Sequence, residues 1–446
     1  MNKISFDDIK QDNHARRGNL GVSLPTKTKM LKSPIMFAEI KHGIDIEYLN
    51  NFIMTCVPQN FGGIIYRLSQ AKKFKHIQQI MNYPTLDRYV KGYDIASWIK
   101  QNMLVLADPE SENTYYSSNP DFDSLDGLPE DYIEEIMNVP KHKRSEKIRY
   151  YENFLDEVLN KSHTYILKFF VKEKTDAQAD FLIPPSTLII PELPKSWNAC
   201  FEINSKAMEI ANTREGWITS AYFPLKVSVF EDDKIYKMIL SYISHLRPPI
   251  LVFKLIDPYV LDNRNAAIQR MYFHKFLLEL SEITMKHKIP VIWLNCDALG
   301  VFLTLIGADG FATPLDGYIE KVLVSPKSAF KPDYERGRYF HYSLLSFVSY
   351  GFILKLNQNG QPLPCAYGCC NEYNKKNLML LPRQEKTLMC RRHYLNSLNG
   401  LLTEVKDGID AGDTRTVMNK LLHSSCKNFY EILEGFSIPP VQPITR

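Results

Sequence analysis

Several features are missing from this 446-residue sequence, and each absence excludes something. No apolar run approaches the roughly 18 residues that a membrane-spanning helix needs, so none is expected. The opening Met1-Asn-Lys-Ile-Ser-Phe-Asp-Asp has no apolar core of the kind a secretory leader carries. No strand is followed by a glycine-rich dinucleotide fingerprint, and no internal repeat is evident. Charge of one sign is also scarce. Lys and Arg number 54 against 50 Asp and Glu, a net +4, too mild to establish nucleic-acid binding without a local basic surface. Of the eight cysteines, Cys56, Cys200, Cys296 and Cys426 lie far apart and read as reduced, buried thiols. A reducing, cytoplasmic setting is the expectation.

What is present is a globular composition, 45% hydrophobic and 23% charged, with 25 Tyr and 24 Phe to fill a core. The other four cysteines crowd into one stretch with a histidine: Cys365, Cys369, Cys370, Cys390 and His393. Zinc takes four tetrahedral nitrogen and sulfur ligands, usually as close pairs. The spacing pairs Cys365 with Cys370 (Cys369 being the alternative), and Cys390 with His393 across Arg391-Arg392. Gly368 supplies the turn in the first pair. Four protein ligands leave no position for water, so the expected Zn(2+) is structural.

Along the chain, residues 1–33 read as an irregular or short-hairpin entry. From Pro34 strands and helices alternate. Strand-like runs are 34–41, 62–68, 103–108, 164–171, 181–183, 217–223, 250–257, 290–295 and 310–313. Helical patterns are 46–56, 70–82, 131–160 (interrupted at Pro140), 196–213, 231–246, 264–287 and 299–306. Such alternation predicts a parallel sheet, and about eight units favour a (β/α)8 TIM-type barrel over an open sheet. The expected organisation is an entry segment (1–33), a barrel (34–318) with an insertion at about 109–160, and a zinc-binding and helical C-terminal part (319–446). An aromatic, strand-like stretch (339–356) precedes the cysteines, and helical patterns (394–409 and 414–434) follow them.

In a barrel the active site lies at the strand C-termini. Asp108, Asp257 and Asp297 fall there, with Asp309 and Asp316 flanking the last strand. Lys327, Lys331, Arg336 and Arg338, the cluster from Lys141 to Arg144, and the forked Arg391 and Arg392 are candidates for phosphate contacts.

Three separated segments together resemble the tRNA-guanine transglycosylase family. Ala15-Arg16-Arg17-Gly18-Asn19-Leu20 is similar to its Ala-Arg-x-Gly-x-Leu opening. Gly307-Ala308-Asp309-Gly310-Phe311 is similar to its Gly-x-Asp-x-Phe-Asp segment. The late Cys/His cluster followed by a helix is similar to its three-cysteine, one-histidine zinc site. The resemblance implies a (β/α)8 barrel with a zinc-binding insertion, acting on a guanine or 7-deazaguanine in tRNA or, as in bacterial relatives, DNA. It places the acid/base aspartate at Asp108, where Pro109-Glu110 replace the family's glycines. It places the purine-gripping aspartate at Ser186 and the nucleophilic aspartate at Ala312, whose methyl cannot attack C1′.

Two expectations follow. The chain is a divergent pentosyltransferase whose catalytic residues come from Asp108, Asp257, Asp309 and Asp316, with Ser186, Arg336, Arg391 and Arg392 binding substrate. Alternatively it is a catalytically silent subunit, in a homo- or heterodimer, that scaffolds nucleic acid or a partner. An unrelated hydrolase or transferase on a zinc-stapled α/β barrel is the third reading. None of them involves a membrane.

Overall fold

The computed structural model describes residues 3–23, 28–40, 49, 52–53, 59–68, 89–90, 93–94, 103–109, 144–175, 178–191, 193–231, 233–256, 266–315 and 338–423. The entry segment is more ordered than its polar sequence implied. β1 (Lys3–Asp12), β2 (Ala15–Ser23) and β3 (Thr28–Lys32) form an antiparallel sheet. Its buried side chains alternate with exposed ones, as in Lys29 and Leu31 between Thr28, Met30 and Lys32, which is the pattern of a sheet with one covered face.

The centre is a curled seven-stranded parallel sheet. Its strands are β4 (Ile35–Ile40), β5 (Phe61–Arg67), β8 (Leu104–Asp108), β9 (Ala221–Lys226), β10 (Leu251–Ile256), β11 (Val291–Leu294) and β12 (Gly310–Pro314). They lie in the order β8-β5-β4-β12-β11-β10-β9. The intervening β6 (Tyr89–Val90) and β7 (Tyr93–Asp94) form a separate two-residue hairpin. Every described residue of β8 and β10 is buried, as expected of parallel strands covered on both faces.

Alternation assigns the two faces. Ile35, Phe37, Ile65, Leu104, Leu106, Tyr222, Val252, Ile292, Leu294 and Ala312 pack into one inner cluster. Their neighbours Met36, Ala38, Ile64, Val105, Phe223, Phe253 and Trp293 face the helices. Ile4, Phe6, Leu20, Val22 and Leu31 of the N-terminal sheet join the inner cluster.

The expected strand at 181–183 differs from a ladder strand, though it occupies the place between the two edges. The Asp180 N–H donates to Val105 O of β8 (2.8 Å), and the Leu182 N–H donates to Ile218 O ahead of β9 (2.8 Å). The Ser220 N–H returns a bond to Leu182 O (2.9 Å). Two causes stop the pairing there. The Ile183 N–H is taken by the Glu173 carboxylate (2.9 Å), and Pro184 and Pro185 have no N–H to give.

Around the sheet lie α1 (Arg144–Asn160), α2 (Ser162–Thr175), α3 (Pro194–Asn212), α4 (Asp233–Leu246), α5 (Ala266–His287) and α6 (Ala298–Thr304). The strand expected at 164–171 is instead part of helix α2. Tyr165, Ile166, Phe169, Phe170 and Glu173 are its buried residues, a spacing of three and four that makes one helical face. The aromatic stretch after 338 is a hairpin, β13 (Arg338–His341) with β14 (Ser346–Ser349), followed by α7 (Tyr350–Gln358). The last named helix, α8 (Arg383–Ala411), packs on β1, β2, β4, α6 and β13. The expected helices 46–56 and 70–82 lie wholly or mostly outside the described residues, as do positions 110–143 of the insertion.

Candidate functional site

Two groups of side chains stand out, one at the strand C-termini and one beside α8. At the strand ends, alternation turns Glu39, Asp108, Lys226 and Lys254 to the inner side, continuing the rows Ile35–Phe37, Leu104–Leu106, Tyr222 and Val252. The Lys254 Nζ donates to Asp108 Oδ2 at 2.7 Å, with both side chains largely shielded from solvent. The Glu39 carboxylate accepts the Asn295 N–H at the end of β11.

Glu173 reaches the same region from α2. Its Oε2 holds the Ile183 N–H, three residues beyond the Asp180–Val105 bond, as Asp108 is three beyond Val105. Its Oε1 is buried with no hydrogen-bond partner. Burial pushes the Glu173 carboxyl well up, and the nearby negative charge of Asp108 adds to the rise. Glu173 thus lies close to the lysine-paired Asp108. Neither Lys254 nor Glu173 was singled out in the sequence. The signal for Lys254 was a charged residue inside the apolar run Ile250-Leu-Val-Phe-Lys-Leu-Ile, where burial on both faces makes an ion costly without a partner.

The structure places one of the other expected catalytic residues, Asp309, away from this region. Asp309 precedes β12, at the opposite end of the sheet. Its Oδ1 accepts from Arg16 Nε (2.9 Å), and its Oδ2 from Arg16 Nη2 and the Val291 N–H (2.8 Å). Arg16 also donates to Thr284 O (3.2 Å) and Ile289 O (2.5 Å). Both side chains are fully buried. The role open to Asp309 is therefore structural, and burial raises its carboxyl against the pull of Arg16. Asp257, Asp316 and Arg336 lie outside the described residues. Asp297 caps α6 by accepting the Leu299 N–H (3.0 Å). Ala312 is fully buried in the inner cluster.

Of the expected substrate contacts, Ser186 is buried, with its Oγ donating to Cys200 Sγ (3.2 Å). Arg391 donates to Leu315 O at 2.5 Å. Arg392 binds Cys369 O (2.8 Å) and Glu372. Arg391 thus ties α8 to the end of β12, and Arg392 ties it to the cysteine loop. Of the basic segments, 325–337 and 141–143 lie outside the described residues.

The second group is a metal-type cluster. One ligand atom from each of Cys365, Cys369, Cys370 and His393 lies within 4.8 Å of every other, so the four could hold a metal ion. Sγ of Cys369 is 3.5 Å from that of Cys365, 3.9 Å from that of Cys370 and 3.4 Å from His393 Nδ1. This group differs from the expected ligand set: Cys369 and Cys370 are both in it, and Cys390 is not. Cys390 is one helical turn short of His393 and buries its thiol in the core with Tyr350 and Met389, where burial pushes it up to about 12. Adjacent Cys369-Cys370 can both face one point because Gly368, at φ +71°, turns the chain just before them.

His393 is oriented from behind. Its Nε2 hydrogen-bonds Phe340 O (2.8 Å), which fixes the proton there and leaves the Nδ1 lone pair facing the thiols. Tyr339 stacks on the ring at 4.2 Å. The three thiols share their charge unevenly. Hydrogen bonds from Cys369 and Cys370 push Cys365 down, while those from Cys365 and Cys369 push Cys370 up. A bound cation is what would let all three ionise together. α8 joins the cluster to the sheet: next to His393, Tyr394 shares a hydrogen bond with Thr313 of β12 (2.5 Å).

No family model matches the chain, and no curated protein matches it. Among the described residues, no helix is long and apolar enough to cross a membrane.

Proposed function

We propose that this protein is a transglycosylase-like (β/α)8 barrel that recognises and exchanges a guanine or 7-deazaguanine base in tRNA or DNA, with its site at the strand C-termini. The observation that carries this reading is Asp108. It sits at the C-terminal end of β8 on the inner side of a curled parallel sheet, where a proton-handling carboxylate of such a barrel belongs. Closure of the sheet into a barrel is supported by the hydrogen bonds from residues 180–182 to both β8 and the lead-in to β9. It is further supported by the inner cluster that Phe181 and Ile183 share with strands from both edges.

The metal of the reading is structural zinc. Four Zn–ligand bonds of about 2.0–2.3 Å at tetrahedral angles put donor atoms roughly 3.5–3.8 Å apart, and the cluster's separations of 3.4, 3.5 and 3.9 Å suit that. Three cysteines and a histidine complete the coordination, so the ion would stiffen the loop 365–370 against α8 and take no part in the chemistry. Reduced Cys200 and Cys296 accord with a cytoplasmic site of action.

Base exchange requires that the target nucleotide leave its stack and reach the strand C-termini. There Asp108 would hand its proton to the leaving purine and take one back from the incoming base. The test is incorporation of labelled guanine or 7-deazaguanine into total tRNA and into DNA. Wild type incorporates label and Asp108→Ala does not. A metal-loaded wild type that labels neither nucleic acid contradicts the exchange reading. A silent-subunit reading is favoured by one observation, the buried Ala312 where the family's nucleophile falls. It predicts salt-sensitive nucleic-acid binding without incorporation.

A further inference from the structure

An exchange that proceeds through a covalent intermediate needs a nucleophile, and the last strand supplies none. Ala312 carries a methyl, and Asp309 is locked by Arg16 at the far end of the sheet. Among the described residues, the inner side of the strand C-termini does hold a strong nucleophile type. Lys254 of β10 extends the inward row Ile250–Val252 and places its Nζ 2.7 Å from Asp108 Oδ2. We infer that Lys254 is the group that bonds to the sugar, taking C1′ of the target nucleoside as an amine in place of the missing carboxylate. The inference rests on the base-exchange reading above.

The geometry supplies the first proton transfer. The Lys254 ammonium passes a proton to Asp108, with which it is already hydrogen-bonded. The free amine then forms the Nζ–C1′ bond as the C1′–N9 bond breaks, and the departing purine takes the proton held by Asp108. The aminal opens when O4′ leaves C1′ and takes a proton from Nζ, giving an iminium. In the return direction O4′ recloses, and the incoming base gives its N9 proton to Asp108 and attacks C1′. Lys254 departs as an amine and recovers its proton from Asp108. Atoms and charge balance without an oxidant or reductant. The surroundings favour this use of a lysine. Its side chain is 2% exposed, and the adjacent carboxylate is within hydrogen-bond reach as the proton acceptor. Glu39, Glu173, Lys226, Cys296 and Asp297 are other titratable groups near this end among the described residues.

The test is borohydride trapping during base exchange, read by intact mass and peptide mapping. An iminium between enzyme and nucleic acid is reduced to a stable amine, whereas an ion pair that only neutralises Asp108 yields nothing. The expected result is an adduct on Lys254. The companion variant is Lys254→Arg, which keeps the positive charge and a donor for Asp108 but offers no amine. It should lose both adduct and incorporation by about 100-fold or more. Incorporation by wild type with no adduct, or with the adduct on another residue, overturns the inference and leaves the exchange reading standing. So does Lys254→Arg exchanging base at the wild-type rate. Wild type that neither incorporates base nor forms an adduct overturns both. The wild-type trapping decides the matter even if the variant fails to fold.

Discussion

At the N-terminal end of the parallel sheet Asp309 meets Arg16 and Asp180 meets Lys29. At the C-terminal end Asp108 meets Lys254. The ingredients are the same, a carboxylate and a buried cation, but the partners differ. Arg16 spends its guanidinium on Asp309 and two backbone carbonyls. Lys29 holds Asp180 Oδ2 (2.6 Å) and Met103 O (2.6 Å), and the same Asp180 oxygen accepts the Val105 N–H (2.7 Å). These pairs tie the N-terminal sheet to the strand starts. Asp108 stands instead at a strand end that is closed by no such sheet among the described residues, and its side chain keeps 13% exposure.

The largest expected effect that would break this contrast lies at the Arg16–Asp309 pair. Arg16→Met leaves Asp309 ionisable and fully buried without a partner, and should cost about 3–5 kcal/mol in urea unfolding. A loss no greater than that of an average surface substitution would mean that the pair is ornamental. The cysteine cluster ranks next. Cys369→Ser should lower bound metal from about one ion per chain to near zero, whereas Cys390→Ser should retain it and cost only about 1 kcal/mol of packing. Metal analysis of the two proteins distinguishes the ligand set in the structure from the pairing across Arg391-Arg392.

Glu173 sharpens the mouth side of the comparison through pH. Its carboxyl is raised in the folded protein, so its stabilising contribution is complete below the unfolded value near 4.5 and is lost as pH rises through the folded value. Wild-type stability should therefore carry a declining component above that point, of at most about 1.4 kcal/mol per pH unit. Glu173→Gln should remove it, as seen by urea titrations at several pH values. An unchanged slope would show that Glu173 is ionised when folded. The smallest effect belongs to Arg392→Ala, which removes the bonds to Glu372 and Cys369 O and should cost about 1 kcal/mol, with little change in nucleic-acid affinity.

Much of the sheet was legible in the sequence because its strands are continuous apolar runs bounded by polar turns. Strands 35–40, 61–67, 104–108, 251–256, 291–294 and 310–314 fall where those runs lie. Residues 164–171 misled because a run of aromatics and β-branched residues suits a strand as well as a helix. Only the burial spacing of Tyr165, Ile166, Phe169 and Phe170 separates the two. The site was legible in part. Cys365, Cys369, Cys370 and His393 were visible as a group, but spacing gave no way to see that α8 carries Cys390 into the core while turning His393 to the thiols. Asp108 was visible as a strand-terminal carboxylate. Its partner was not, since 146 residues separate it from Lys254 and only the curl of the sheet brings them together.

The central claim is that one ion pair shapes the fold and another does chemistry, and two charge-conserving swaps test it most directly. Base incorporation per folded molecule is measured for Arg16→Lys and for Lys254→Arg. Arg16→Lys should be less stable yet incorporate base at the wild-type rate for whatever fraction is folded, and Lys254→Arg should be folded and inactive. Incorporation that follows only the folded fraction in both proteins would contradict the account.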